Sequence, residues 1–268
     1  MLEKIKETAS FLEKTVSSKP KTAIILGTGL GNLADNITDK YEINYTEIPN
    51  FPVSTVEGHL GKLIFGKLNG KEIMAMQGRF HYYEGYSMKE VTFPIRIMKE
   101  LRIQNLFVSN AAGAMNPDYE IGDLMFITDH INHFPEHPLR GKNIYGSRFP
   151  DMSEAYSKDF INKALDIAKE NNINVRKGIY IGTQGPTFET PAEYRMFRIL
   201  GADVVGMSTV PEVIVANHCK IKVFGISVVT DLGVEGRIVG ISEKEIQDAA
   251  NLAQPKMTLI MRELINRI

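Results

Sequence analysis

Thr22-Ala23-Ile24-Ile25-Leu26 runs directly into Gly27-Thr28-Gly29-Leu30-Gly31-Asn32. Five uncharged, mostly apolar residues read as a strand buried on both faces, and the glycines end it in a tight turn. Strands of that kind belong to sheets covered by helices on both sides. Outward from this stretch the chain keeps the same rhythm. Upstream, Leu2, Ile5, Ala9, Leu12 and Val16 step by three and four, which predicts an amphipathic helix over 2–16. Downstream, residues 63–68 and 72–77 flank Asn69-Gly70, a hairpin signal that makes the sheet mixed. A helix follows over 91–102 despite Pro94, then strands over 106–109 and 124–128. Residues 153–172 read as a helix capped by Ser153, and 178–183 as a strand. Thr190-Pro191-Ala192-Glu193 is a capping box with proline at the first helical position, and Gly201 closes that helix. Strands over 203–207 and 222–230 enclose a helix starting near Pro211, and a final helix spans 243–267 with a kink at Pro255. With no repeat or linker, the expected fold is α/β: a single domain over 1–268 with a central mixed β-sheet flanked by helices.

Composition narrows the function. Of 268 residues, 31 are Lys or Arg and 32 Asp or Glu, a formal net charge of −1, so there is no basic excess to hold nucleic acid. Hydrophobic residues make up 43%, too many for a disordered chain, yet no run approaches the roughly 18 apolar residues that span a membrane. Cys219 is the only cysteine, which precludes an internal disulfide or a thiolate cluster. A reducing cytoplasm is the expected setting, with neither nucleic acid nor membrane as a partner.

Five segments carry the chemistry. The cluster 27–32 turns backbone N–H groups and a hydroxyl toward an anion, but Asn32 replaces the last small residue of a dinucleotide fingerprint. In Gln77–Tyr86, an extended chain would put Arg79, His81 and Tyr83 on one side; the guanidinium fork suits phosphate, and Glu84 can orient His81. Ser109–Ala114 offers small residues past a strand, where a ligand can approach the backbone. Gly182–Thr190 sets Phe188 beside Glu189, a ring to stack on a flat ligand and a carboxylate to read its edge. Gly206–Glu212 adds a hydroxyl and a helix N-terminus. Each segment also fits an ordinary turn or strand end. His130, His133 and His137 have spacings that invite a metal, but Pro135 and Pro138 break the helix such a site needs, so no metal is expected. His218 is expected on a helix surface. Residues 132–151 hold three prolines, two glycines and no periodicity, the mark of a functional or partner-contacting loop.

Taken in order and spacing, GTGLGNL, GHLGKL, QGRFHYYEGY, SNAAGAMNP, GPTFETPAE and VGMSTVPEVIVA resemble the trimeric, low-molecular-mass purine nucleoside phosphorylases over about residues 20–230. The resemblance implies phosphorolysis of purine (deoxy)ribonucleosides, chiefly inosine and guanosine, to free base and (deoxy)ribose 1-phosphate. It implies no metal and no organic cofactor, with inorganic phosphate as co-substrate. Thr28, His59, Arg79, His81, Ser208 and the Ala111 N–H would hold phosphate. Tyr83 and Met207 would touch the sugar, and Phe188 and Glu189 the purine. Phe149, on the aperiodic loop, would reach a neighbouring subunit's site in a homotrimer.

Two positions depart from that pattern. Asp231 stands where 6-oxopurine-specific relatives carry asparagine; an ionised carboxylate only accepts, so it suits a protonated N7 and a 6-amino group. Glu189 favours a 6-oxopurine instead, because adenine N1 has no proton to give. The expectation is inosine and guanosine as main substrates with added tolerance of adenosine through Asp231, the catalytic set being His81, Glu189 and Asp231. Glu243 aligns with a histidine that relatives aim at the sugar's 5′-hydroxyl. The alternatives are a 5′-methylthioadenosine phosphorylase, a nicotinamide-dependent oxidoreductase and a non-catalytic nucleoside-binding protein.

Overall fold

In a computed structural model, which describes residues 1–27, 31–53, 55 and 60–268, the buried strand is β1 (Thr22–Leu26). It lies between β4 (Lys71–Gln77) and β5 (Asn105–Ala114), parallel to both. β2 (Thr38–Asn44) and β3 (Lys62–Leu68) extend the sheet antiparallel beyond β4, with Asn69 and Gly70 at positive φ in the β3–β4 hairpin. Beyond β5 come β8 (Val204–Gly206), β7 (Val175–Gly182), β6 (Leu124–Asn132) and β9 (Lys222–Leu232). β9 pairs with both β6 and β5, so these five strands close on themselves. The mixed sheet thus has one open wing and one ring, and closure removes the exposed edges on that side. Phe107, Phe126 and Phe224 meet edge-on inside, each burial stabilising by about 1.5–3 kcal/mol.

Helices cover the sheet. α1 (Leu2–Thr15) packs on α3 (Phe93–Glu100), and α7 (Glu243–Asn266) on β9 and α4 (Lys158–Glu170). The helix expected over 91–102 is two: α2 (Met88–Val91) stops at Thr92 and α3 restarts with Pro94 in its first turn, where a missing N–H costs nothing. α4 begins four residues later than expected. Its cap is Ser157, whose Oγ accepts from Phe160 N and whose own N–H donates to Val223 O. Ser153 instead folds onto Asp151. α5 (Pro191–Ile199) has the expected capping box, and Gly201 follows it at φ 98°. α6 (Val210–His218) starts as expected, but His218 is buried rather than on the surface. Pro255 lies inside α7. No described helix is long and apolar enough to cross a membrane.

β5 outruns its expected end at Ser109. Residues 109–114, read as a loop, continue the strand because β9 pairs with them through Ala114. The register slips between Ala112 and Gly113, so that Gly113 faces Asp231. Such a bulge re-aims side chains at a strand end.

Candidate active site

A cavity of about 700 Å³ opens where parallel β1, β4, β5 and β9 end, the edge at which open α/β sheets bind ligands. Of the sequence-derived residues, Arg79, His81, Tyr83, Ala111, Phe188, Glu189, Met207, Ser208, Asp231 and Glu243 line it together. Thr28 and His59 lie outside the described residues. Phe149 does not line it; it sits on the aperiodic loop, 86% exposed.

At one end, Arg79 and His81 follow β4, but not as an extended strand. Gly78 has φ 110°, and His81 caps a 3-10 turn over Tyr82–Glu84. All three side chains still reach the cavity because His81 and Tyr83 stack, ring centroids 4.7 Å apart. Arg79 is buried, and its Nε and Nη2 donate to the two oxygens of Glu212 at 3.1 and 3.0 Å, while Nη1 donates to Ser109 O at 2.6 Å. Glu212 thus holds the edge of the fork that the sequence alone left for phosphate. Gly27 makes room for this, since a Cβ there would meet Ser109 O at 2.5 Å and Arg79 Nη1 at 3.1 Å.

His81 is held by Glu84, which takes its backbone N–H at 2.8 Å and pairs with Nδ1 at 3.0 Å. Burial lowers the His81 pKa, against the pull of Glu84, so the ring is neutral at pH 7 with its Nδ1–H on Glu84. Burial raises the Glu84 pKa, but bonds from His81 and Thr55 outweigh it and bring the carboxyl to about 2. Ser208 lies across the cavity, in front of α6. Thr209, a β-branched residue at φ 66° and ψ −55°, forms a γ-turn in which Val210 N–H donates to Ser208 O at 2.7 Å. Strain of this kind costs on the order of 1–3 kcal/mol and persists where packing imposes it. Asn110 Nδ2 supplies part of that hold by donating to Thr209 Oγ1 at 2.9 Å.

At the other end two carboxylates meet. Asp231 Oδ2 accepts from Tyr194 Oη at 2.9 Å and Oδ1 from Thr230 Oγ1 at 3.0 Å. Burial raises its pKa. Only glycine fits opposite, since a Cβ on Gly113 would stand 2.6 Å from Asp231 Oδ2. Burial, with the Asp231 charge nearby, pushes Glu189 up to about 7. Glu243, Ile246 and Gln247 on the first turns of α7 complete the wall. The sequence did not single out Glu212, Tyr194 or Gln247. Tyr194 and Gln247 show only helical spacing, whereas Glu212, in the first turn of a largely apolar helix, is a buried charge awaiting a partner.

One end thus presents cationic and hydroxyl groups and the other a titratable carboxylate pair beside an aromatic ring, an arrangement for an anion and a flat polar ring within one cavity. The Phosphorylase superfamily model matches residues 21–266. Purine nucleoside phosphorylase 1 of Bacillus subtilis (strain 168) is 47% identical over 267 residues, covering 99% of this chain and 98% of the relative. The purine nucleoside phosphorylase of Rattus norvegicus is 46% identical, covering 99% and 95%. The Schistosoma mansoni purine nucleoside phosphorylase in complex with adenosine superposes with a TM-score of 0.94 at 42% identity, covering 99% and 97%; its complex with inosine gives 0.93 at 40%, covering 99% and 96%.

Proposed function

We propose, since the chain belongs to the Phosphorylase superfamily and within it to the purine nucleoside phosphorylases, enzymes that transfer pentosyl groups, that it cleaves inosine and guanosine with inorganic phosphate and also accepts adenosine. The observation that carries the substrate reading is the carboxylate pair, Glu189 with a pKa near 7 beside Asp231. A Glu189 carboxylate accepts the N1–H of a 6-oxopurine; its protonated form donates to the bare N1 of adenine. Asp231, accepting only when ionised, takes the N7–H of the departing base or the 6-amino group of adenine. Phe188 stacks on the purine, Tyr83 and Met207 bound the sugar, and Glu243 takes its 5′-hydroxyl.

Phosphate sits at the Arg79–His81–Ser208 end, with the Ala111 N–H, Thr28 and His59 as further ligands. Neutral His81 matches a phosphate that carries a proton, and Glu212 fixes the Arg79 guanidinium. The glycosidic bond stretches first, giving the sugar cationic and the base anionic character. Phosphate beneath the anomeric carbon stabilises the cation and bonds to it on the face opposite the departing base. Positioning of the two substrates supplies about 7–11 kcal/mol. Hydrogen bonding of the purine anion at N7 supplies electrostatic stabilisation that grows toward the transition state. The nucleophile is the second substrate, so the reaction calls on no metal, organic cofactor or covalent enzyme intermediate. The homotrimer, with Phe149 closing a neighbour's site, and a cytoplasmic setting complete the reading.

The test follows the products by 31P NMR and chromatography. Inosine with phosphate should give ribose 1-phosphate and hypoxanthine, and adenosine should give adenine more slowly. Cleavage of adenosine alone would favour a methylthioadenosine phosphorylase.

A further inference from the structure

Two arginines are buried beneath the helices, and only one has a counter-ion. Arg79 is paired with Glu212. Arg96, on α3 and 4% exposed, makes a single 3.4 Å hydrogen bond from Nη2 to Pro138 O. Its Nε and Nη1 have no hydrogen-bond partner, and no salt bridge reaches it among the described residues. A guanidinium stays charged in a protein, and a buried charge without a partner is strongly disfavoured. Cys219 lies near it but offers no anion, because burial pushes that thiol up to about 11.

Arg96 is part of the wall of a second cavity, of about 380 Å³, distinct from the active site. Exposed Lys89, Arg140 and Lys142 line it as well, with buried His218 beside them and Leu139 as an apolar wall. No Asp or Glu lines it. The nearest carboxylates on these elements are engaged elsewhere: Glu100 accepts from Tyr145 Oη, Glu90 caps α2, and Glu136 accepts from Met88 N–H. Four permanent cations around a cavity with no counter-charge make a positive site whose missing component is an anion.

We propose that this cavity is a second phosphoryl-binding site, in which Arg96 holds a phosphate dianion from within and Lys89, Arg140 and Lys142 surround it. The planar guanidinium presents Nε and Nη1, donors with no protein acceptor, to phosphoryl oxygens. The volume and the Leu139 wall leave room for a small organic body, so the phosphoryl group comes either as inorganic phosphate or as a phosphomonoester.

Equilibrium dialysis with radiolabelled inorganic phosphate on the intact protein tests this. Arg96→Met should bind one equivalent per chain fewer than the unsubstituted protein. The Lys89→Gln/Lys142→Gln double variant, altered only at exposed positions, should lose the same equivalent or bind it at least tenfold more weakly, and it serves if Arg96→Met does not fold. The difference between proteins is the readout, so it holds whether or not the active site takes phosphate. Ribose 5-phosphate that displaces this equivalent identifies a phosphomonoester site; failure to displace it identifies inorganic phosphate as the ligand. Equal stoichiometry and affinity in the unsubstituted and both substituted proteins would overturn the proposal.

Discussion

Glu189 and Asp231 share one buried end of the active site, and neither can be an ordinary surface carboxylate. Their titrations are coupled through proximity, so a measured midpoint belongs to the pair. The sign for substrate choice is nonetheless fixed. Burial raises the Glu189 pKa to about 7, so the group is ionised above that pH and protonated below it. Inosine needs the acceptor form, and its kcat/KM should fall about tenfold per pH unit on the acid side of the midpoint. Adenosine needs the donor form, so the adenosine-to-inosine ratio should rise as pH falls. Rate profiles for both substrates over the same buffers check this, and a ratio independent of pH would remove Glu189 from base recognition. Asp231→Asn should lower the adenosine-to-inosine ratio about five- to tenfold, the worth of one hydrogen bond of ~1–1.5 kcal/mol. An unchanged ratio would mean that Asp231 points away from the 6-position.

Elements decide where those residues stand, and here the sequence was legible unevenly. β1, the β3–β4 hairpin and α5 announce themselves through local signals: an apolar run before glycines, Asn69-Gly70, and Thr190 with Glu193. The boundaries that failed were set by distant partners. Ser153 and Ser157 are equally good caps locally, and the choice falls to Ser157 because its N–H pairs with Val223 on β9. Residues 109–114 look like a glycine-rich loop, and pairing with β9 makes them strand. The extended Arg79–His81–Tyr83 face gave way to a 3-10 turn, yet the residue types proved sound because Glu84 and ring stacking hold them at the cavity. Least visible was Glu212, whose partner lies 133 residues away. Removing it strands a buried guanidinium, so Glu212→Ala should destabilise the fold by about 3–5 kcal/mol, measured by urea unfolding. A loss below 1 kcal/mol would mean that water or another acceptor replaces it. Ser157→Ala tests the cap at the milder level of about 1 kcal/mol in the same assay.

For the whole molecule, closure of β5, β8, β7, β6 and β9 into a ring brings segments distant in the chain to one cavity. That gathering is why single motifs, each ambiguous alone, gain meaning together. The loop over 132–151 remains outside it, with Phe149 almost fully exposed. A large aromatic held in water is suited to a partner surface. Light scattering after size-exclusion chromatography should give three chains per particle. Phe149→Ala should raise KM for the nucleoside several-fold with little change in KM for phosphate, since the ring closes a neighbour's sugar and base end. A monomer with unaltered kinetics on substitution would detach the loop from the site.

The central claim is that phosphate, and not water or an enzyme side chain, attacks the anomeric carbon. Base release from inosine and from adenosine, each with and without inorganic phosphate, measures it most directly. Hypoxanthine should appear only with phosphate, matched mole for mole by ribose 1-phosphate, and adenine more slowly under the same condition. Release at the same rate without phosphate, giving free ribose, would contradict the claim.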